Sequence, residues 1–510
     1  MDTDVIVVGA GPAGLVLATE LALCGVRPVV LEAVTGRDTA SKALNLHPRT
    51  AEVLDSRGLL ESLLDHQIVL GNPPHSFFGM IPVPLDCAPF RTRYPYQLGV
   101  LQWRVETALE NRLAELGGAV SWAHRLLAVA QDDEGVTATV ATPAGERTIR
   151  ARYLVGCDGG RSTVRKSTGT PFPGVDGKQV FVAADVVLSR SPAEWYAEIP
   201  DERKGLLRLM PGNSLAGLIL SGGERLMFSL RGLEDGVHRL SFSCAATTDR
   251  HSEVTDTEVR AAIEAACGVD LEVKEIRWAS RFTDTCRQVD DYRDGRVFLV
   301  GDAAHVVVPL GGQGMTLAIQ DAFNLGWKLA ARVNGTAPDG LLDTYQTERH
   351  PVAAYLIREA RAQFALLGDG PELAPLREIL VDLVRLPETN THLAGAVSGL
   401  GVRYPMPDED HPLAGTRLPD LDLRTAGGPV RAYHLMRDGR GLFLDFGGGG
   451  EVADALLDDW ADRVRLVPGG TDEEIDADAV LVRPDGYVCW AGGVADLDRL
   501  AASLSRWFGP

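Results

Sequence analysis

Two glycine-rich turns far apart in the sequence restrict this chain more than any property of its composition. The first follows the apolar run Asp4-Val-Ile-Val-Val8 and reads Gly9-Ala-Gly-Pro-Ala-Gly14. A short apolar run closed by a turn predicts a parallel strand buried on both faces, and Leu15 to Leu23 continues as a helix. Pro28-Val-Val-Leu-Glu32 predicts the next parallel strand. In this βαβ setting the glycines serve three separate ends, Gly9 the tight turn, Gly11 close approach to a pyrophosphate, and Gly14 helix–strand packing. The helix N-terminus adds free N–H groups and a positive dipole end. Glu32, 18 residues after Gly14, stands where a carboxylate accepts both hydroxyls of an adenosine ribose. A 2′-phosphate would be repelled there, so this site is not one for NADP.

The second turn lies in Val297-Phe-Leu-Val-Gly-Asp302, continues through Ala303-Ala-His305, and reaches Pro309, Gly311, Gly312 and Gly314. A carboxylate at the C-terminal end of a strand faces the ligand crevice of an open α/β sheet, so Asp302 suits a sugar or ribityl chain. It also suits a helix N-cap, and both roles are compatible. Pro309 and the glycines bring backbone close to a ring, and a new helix from about Met315 offers its N-terminus to negative charge. Two segments built to hold one extended cofactor point to FAD. His305 reads as structural rather than as a catalytic base. A third segment, Cys157-Asp-Gly-Gly-Arg-Ser-Thr-Val-Arg165, ends a strand and opens a helix. There Asp158 is either an N-cap or a contact to cofactor and reductant, with Arg165 on the helix surface in the first reading.

The length of 510 residues exceeds one ordinary core. Residues 1–175 are expected to form the first part of a dinucleotide-binding domain. Residues 176–275 alternate apolar and polar in short strands and predict an inserted antiparallel sheet, with a helix from Glu258 to Ala266. Residues 276–400 return to the first domain, closed by a helix over roughly 341–368, after helices over 48–66 and 102–117 earlier in the chain. The Pro/Asp/Gly-rich stretch after Leu400 reads as a linker. Residues 401–510 read as a small thioredoxin-like domain with a hairpin at Pro484-Asp-Gly486. Cys489 stands there without a CxxC partner, which favours a structural role.

The formal charge of −20 argues against nucleic-acid and anionic-membrane partners, whose footprint is basic. Seven scattered cysteines show no metal spacing and fit reduced thiols in the cytoplasm, and no apolar run is long enough to span a membrane.

GAGPAG with Glu32, DGGRSTVR at 158–165, and GDAAH with PLGGQG at 301–314 resemble the three signatures of the single-component flavin monooxygenases, the para-hydroxybenzoate hydroxylase fold. The resemblance spans roughly residues 1–400. The thioredoxin-like extension and the stretches SKALNLHPRTAEVLDSRGL and LQWRVETALENRLAELG are similar to the subgroup acting on aromatic polyketides. It implies a Rossmann-like FAD-binding domain, α/β, with an inserted antiparallel-sheet substrate domain and the C-terminal domain. It implies cofactor contacts from Glu32, Gln102, Arg104, Asp158 and Asp302, with Pro309, Gly311, Gly312, Gly314 and Met315 bordering the ring. Thr316 stands where Asn is common, and Lys42 where Arg is common near the cofactor entrance.

By the same resemblance NADPH or NADH visits as a transient co-substrate. The reduced flavin and O2 give a C4a-hydroperoxide that hydroxylates an aromatic ring, so the protein needs no Ser/His/Asp set. Phe78, Tyr96, Met210, Phe228 and Pro309 are expected along the substrate, and Phe77, Phe181 and Phe282 are further candidates; each could equally be core. A polycyclic phenolic polyketide is the expected substrate, and a monomer or homodimer the expected assembly. Baeyer–Villiger oxygenation, antibiotic inactivation, and a flavin carrier without oxygenase activity are the alternatives. The chain lacks a WxWxIP-like segment, which disfavours a halogenase.

Overall fold

The computed structural model describes residues 1–510 apart from 69–75, 80, 211–213, 222–223, 246–247, 369, 408, 448–456 and 494–495, and leaves the side chains of 210, 218–221 and 224–226 undescribed. The first sheet runs, in spatial order, Arg293–Asp294, Val297–Leu299, Gly145–Gly156, Thr3–Val8, Val29–Leu31 and Val120–Ser121. Neighbours along this path pair in parallel except the antiparallel edge strand Arg293–Asp294, and the strands Val136–Thr142 and Arg125–Gln131 extend the sheet antiparallel from Gly145–Gly156. Strands covered on both faces need apolar side chains in succession rather than alternation, and Val5, Ile6 and Val7 are wholly buried. The helix Pro12–Leu23 starts on Pro at its first turn and packs on the long helix Gly314–Asn334.

This order puts three chemically distinct turns side by side. The chain leaves Val8, Gly156 and Leu299 at the same edge of the sheet, tied there by backbone bonds from Cys157 to Val8 (2.8 Å), Val300 to Gly156 (3.0 Å) and Gly9 to Leu31 (2.8 Å). That edge is where open parallel sheets bind ligands.

The inserted sheet is antiparallel throughout, ordered Leu207–Met210, Ser214–Ser221, Glu224–Gly232, Val237–Ser243, Val180–Leu188 and Val273–Thr283. One face packs Val182, Ala184, Val186, Phe228, Leu230, Leu240 and Phe242 against the helix Asp256–Cys267, which Thr255 caps through the Glu258 N–H. The other face turns towards the first domain. The expected boundary at 275 falls inside the last strand, which runs to Thr283; the polar residues Glu275, Arg277 and Arg281 mask its alternation.

Three further expectations change. The helix expected over 48–66 is two pieces, Pro48–Asp55 and Glu61–Leu64, broken where Gly58 takes a left-handed φ of +70° against Arg437. After the closing helix Thr344–Ala365 come two more, Leu373–Val384 and Pro387–Ser398. The stretch after Leu400 is no free linker: Tyr404, Leu418 and Leu421 are buried, and Tyr404 stacks on Tyr487 at 4.0 Å.

The C-terminal sheet is ordered Gly428–Arg431, Asp422–Thr425, Val464–Thr471, Gly441–Asp445, Ala479–Val482 and Val488–Gly492, with the helix Leu497–Phe508 after it. The expected hairpin joins the last two strands, but its turn is buried against the first domain. Arg57 donates to the Pro484 carbonyl (2.8 Å) and Arg49 to the Asp485 carbonyl (2.9 Å). Arg483 lies between Glu348 and Asp485, each at 2.6 Å, and Lys328 meets Glu348 at 2.7 Å. All seven cysteines are free, and burial pushes the Cys489 thiol up, which suits the structural role expected of it. Among the described residues no helix is long and apolar enough to cross a membrane.

Candidate functional site

The first turn has the geometry that its glycine spacing predicts. Gly9 takes a φ of +104°, and a Cβ there would stand 2.4 Å from the Cys157 carbonyl oxygen; a Cβ on Gly14 would stand 1.9 Å from that of Gly9. Both neighbours are backbone and cannot yield. Gly11 is the opposite case, since a Cβ there would meet nothing within 4 Å. The open space lies over a helix start that no side chain caps, which leaves N–H groups for a phosphate. Glu32 is held in place by the N–H groups of Ala10 (2.8 Å) and Val34 (3.2 Å), and its remaining lone pairs can take a ribose.

Asp158 spends its carboxylate on the protein. It accepts from the N–H groups of Thr163 (2.6 Å) and Val164 (3.1 Å) and from the Ser162 hydroxyl (2.5 Å), so of its two readings the cap is the one observed. Its service to a cofactor runs through the backbone it fixes. Arg165 is not a surface residue: it is buried over the Phe172 ring and donates to the carbonyls of Ala303 and Gly160, each at 2.8 Å. It thereby ties the middle motif to the last one.

Asp302 is exposed and hydrogen-bonds no described residue; the turn Gly301–Ala303 it belongs to has no side-chain cap, so the N-cap reading fails. Protein crowding pushes its carboxyl up from the ordinary range, against the pull of His305 and Lys42. An acceptor left free in such a place suits a polyhydroxyl chain. His305 behaves as expected of a structural residue. It is buried with its Nε2 2.6 Å from Asp321, whose carboxylate burial would push up but which Arg349 and His305 hold below its usual range.

Pro309 is exposed on the cleft, and Gly311 and Gly312 both take left-handed φ values (+79° and +71°). His47 holds this loop by donating from Nε2 to the Gly311 carbonyl (2.9 Å), and burial lowers its pKa to about 4, so it stays neutral. Asn45 lies so near Gly312 that a Cβ would be 2.4 Å from its Oδ1. The hydroxyl of Thr316, the residue that replaces the common Asn, accepts the His47 N–H at 3.4 Å. The helix Gly314–Asn334 begins within a residue of its expected start, again without a side-chain cap, and Met315 is buried in its first turn. The open Gly11, the free Asp302 and two uncapped helix starts form a donor and acceptor set that fits FAD.

Gln102 and Arg104 are already engaged. Gln102 accepts from the Ala43 N–H (3.1 Å) and donates to Glu106 (2.9 Å). Arg104 stacks over Trp103 and bridges to Glu234 of the inserted sheet at 2.9 Å, so as placed it braces the two domains.

Beside the loop, where Phe364 packs with Leu310, Phe181 stacks on Phe282 (5.2 Å between centroids) and meets Phe364 edge-on (6.0 Å). Phe228 is 1% exposed on the far face of the sheet, in the core beneath the helix Asp256–Cys267, and does not line the cleft. Tyr96 packs on the core of the first domain, and Phe78 on a small cluster with Ile81, Leu85 and Leu366. Phe77 is exposed, and the Met210 side chain lies outside the described residues. A separate hollow of about 480 Å³, lined by Tyr153, Arg293, Arg296 and Arg332 among others, contains none of these residues.

Residues 2–360 match the family described as FAD binding domain, and residues 411–510 match aromatic-ring hydroxylase, C-terminal. The chain is 44% identical over 522 residues to the anhydrotetracycline monooxygenase of Streptomyces rimosus, covering 100% of this chain and 99% of that protein. It belongs to the single-component FAD-dependent aromatic hydroxylases. Such a hydroxylase is an FAD-dependent monooxygenase that draws electrons from NAD(P)H. A rifampicin monooxygenase of Streptomyces venezuelae is 41% identical over 509 residues, covering 99% of this chain and 98% of its own. The solved structure of the anhydrotetracycline hydroxylase OxyS from Streptomyces rimosus superposes with a TM-score of 0.89 at 42% identity, covering 100% of both chains.

Sequence reasoning misses several residues of this hydroxylase. His47 lies inside SKALNLHPRTAEVLDSRGL, but its grip on Gly311 depends on a contact across 264 positions. Phe364 sits on a helix that the sequence marks only as closing the domain. Arg239 is buried on the sheet face towards the first domain, where it pairs with Asp185 at 2.6 Å and donates to the carbonyls of Ser41 and Lys42. No motif marks the role of any of the three.

Proposed function

We propose that this monooxygenase hydroxylates a polycyclic phenolic substrate of the aromatic polyketide type. The carrying observation is an exposed Asp302 and Pro309 and a left-handed Gly311–Gly312 loop next to an aromatic cluster, Phe181–Phe282–Phe364, whose Phe364 packs with Leu310 of that loop. The full-length similarity to the anhydrotetracycline monooxygenase supports the substrate class.

FAD bound there would take electrons from the nicotinamide and deliver one oxygen atom of O2 to the substrate ring. Gly9, Gly11 and Gly14 would admit its pyrophosphate, Glu32 its ribose and Asp302 its ribityl chain. The N-terminus of Gly314–Asn334 would favour negative charge at the edge of its ring. The three phenylalanines would orient a flat substrate and exclude water from its face. The C-terminal unit we read as thioredoxin-like: from Gly441 its strand order is second, first, third, fourth, with the first two parallel, and a helix follows. Free thiols suit a cytoplasmic enzyme, monomeric or dimeric.

The test is purified yellow enzyme with NADPH, O2 and a polycyclic phenol such as anhydrotetracycline. Ligand-stimulated NADPH oxidation with a product 16 mass units heavier is expected, and NMR of that product separates ring hydroxylation from Baeyer–Villiger ester formation. The similarity to a rifampicin monooxygenase supports a second reading, antibiotic inactivation. Turnover of rifampicin in preference to polyketide phenols would establish it.

A further inference from the structure

At the seam between the inserted sheet and the first domain, Arg104 and Arg239 are ion-paired, while the side chains of Arg231 and Lys42 form no hydrogen bond or ion pair with any described residue. Arg104 is paired with Glu234, and Arg239 with Asp185. Arg231 stands directly across from Arg239 in the antiparallel register, so both side chains leave the same face of the sheet. Arg239 reaches the carbonyls of Ser41 and Lys42, which fixes that face against the first domain. Arg231 is exposed to solvent and hydrogen-bonds no described residue, and the Lys42 side chain is exposed as well. A guanidinium without a protein partner is free to take an incoming anion through charge-assisted hydrogen bonds. In a chain of net charge −20 such a pair of free cations is conspicuous.

We propose that Arg231, assisted by Lys42, receives a phosphate of the reduced nicotinamide dinucleotide at this seam. The proposal rests on the monooxygenase reading and adds where its reductant docks. NAD(P)H needs a phosphate site of its own. The Gly9–Gly14 turn belongs to FAD, Glu32 beside it repels a 2′-phosphate, and the sequence has no second glycine fingerprint in a βαβ setting. Side-chain cations must therefore do that work, and a guanidinium holds a phosphate through two parallel hydrogen bonds. The site is open, as a co-substrate that enters and leaves requires. Lys42 also lies within electrostatic reach of Asp302, so the seam adjoins the expected flavin position.

The test compares full-length, FAD-loaded wild type with Arg231→Ala and Arg231→Lys, using anaerobic stopped-flow reduction over a range of NADPH concentrations. Titration calorimetry of NADP+ adds a readout independent of turnover. Losing a charge-assisted contact of this kind corresponds to roughly 10- to 100-fold weaker binding, so Arg231→Ala should raise the Kd for NADPH and NADP+ by about that much. Arg231→Lys should lie between, and the substrate Kd should hold within about twofold. FAD content and melting temperature check that both variants fold, as an exposed position predicts. Unchanged nucleotide affinity in Arg231→Ala overturns the proposal. So does a loss confined to the aromatic substrate, which would make Arg231 a contact for an acidic substrate oxygen. Wild type that neither NADPH nor NADH reduces overturns the monooxygenase reading and this proposal with it.

Discussion

Replacing Arg483 by Met tests whether the C-terminal unit is bound to the flavin domain by charge or merely by contact. Arg483 is wholly buried and donates to Glu348 at 2.6 and 2.9 Å and to Asp485 at 2.6 and 3.1 Å. Met keeps much of the volume and removes every one of those bonds. The two buried carboxylates then keep the Lys328 ammonium, 2.7 Å from Glu348, as their cation, with neutral hydrogen bonds from the Asn324 amide at 2.6 Å to Glu348 and 3.3 Å to Asp485. Breaking a buried ion pair from one side costs about 3–5 kcal/mol, because the charge left behind has neither water nor partner. On a scale of about 2–4 °C per kcal/mol, the melting temperature should fall by roughly 6–20 °C. The pH dependence supplies a sharper check. Burial alone would push the Glu348 carboxyl up, but Arg483 and Lys328 hold it down to about 2, against an ordinary 4.5. A depressed carboxylate contributes stability that is complete above pH 4.5 and disappears as the pH falls towards 2. The gap between wild type and Arg483→Met should therefore be full at pH 7 and narrow between those two values. Adding Glu348→Gln to Arg483→Met should recover part of the loss by removing the stranded charge. Melting curves at pH 7 and pH 3.5 measure all three proteins. A loss below about 1 kcal/mol, or one that does not change with pH, would refute the view of this seam as a tightly paired ionic network.

Gly14→Ala drives a methyl into the Gly9 carbonyl and should yield protein without FAD and with a lowered melting temperature, whereas Gly11→Ala meets no protein atom. Gly11→Ala should therefore fold normally yet bind FAD about tenfold or more weakly in a flavin fluorescence titration, because its methyl takes pyrophosphate space. Phe228→Ala should destabilise by about 3–5 kcal/mol in chemical denaturation while leaving KM unchanged. Phe364→Ala should raise KM for the aromatic substrate roughly 2- to 13-fold, the worth of an aromatic pair, while leaving FAD content alone. Glu359 is buried with both oxygens unpartnered, and burial pushes its pKa up to about 7. A raised carboxyl costs stability as the pH climbs past its unfolded value, so Glu359→Gln should stabilise by on the order of 3 kcal/mol at pH 8 and by nothing at pH 4. Equal effects at both pH values would show that Glu359 has a partner after all.

How much of this is legible in the sequence depends on the range of the interaction that decides it. Gly9, Gly11, Gly14 and Glu32 sit within one βαβ unit, where spacing alone dictates geometry, and the glycines meet the contacts that spacing predicts. The start of the helix at Gly314 and the alternation that marks the inserted sheet are equally local. Asp158 and Asp302 occur in like strand–turn settings, and sequence leaves each with two readings. Only the assembled turns show one carboxylate spent on a helix start and the other free over the cleft. Arg165 reads as a surface residue in sequence because its partners Phe172 and Ala303 lie on other elements. Phe228 and Phe181 alternate alike along their strands; which face meets the helix Asp256–Cys267 and which meets the flavin domain is settled by packing.

The sequence by itself thus determined that a dinucleotide would be held by two glycine turns, because backbone sterics at Gly9 and Gly14 act between neighbours. The tertiary structure decided which carboxylate stays free, which aromatic ring packs towards the flavin domain, and that Arg483 is clamped between Glu348 and Asp485. It also decided that Arg239 has a partner and that Arg231 has none among the described residues. The charge, burial and pairing of a side chain depend on what the fold brings within a few ångströms of it, and the local chain does not carry that information.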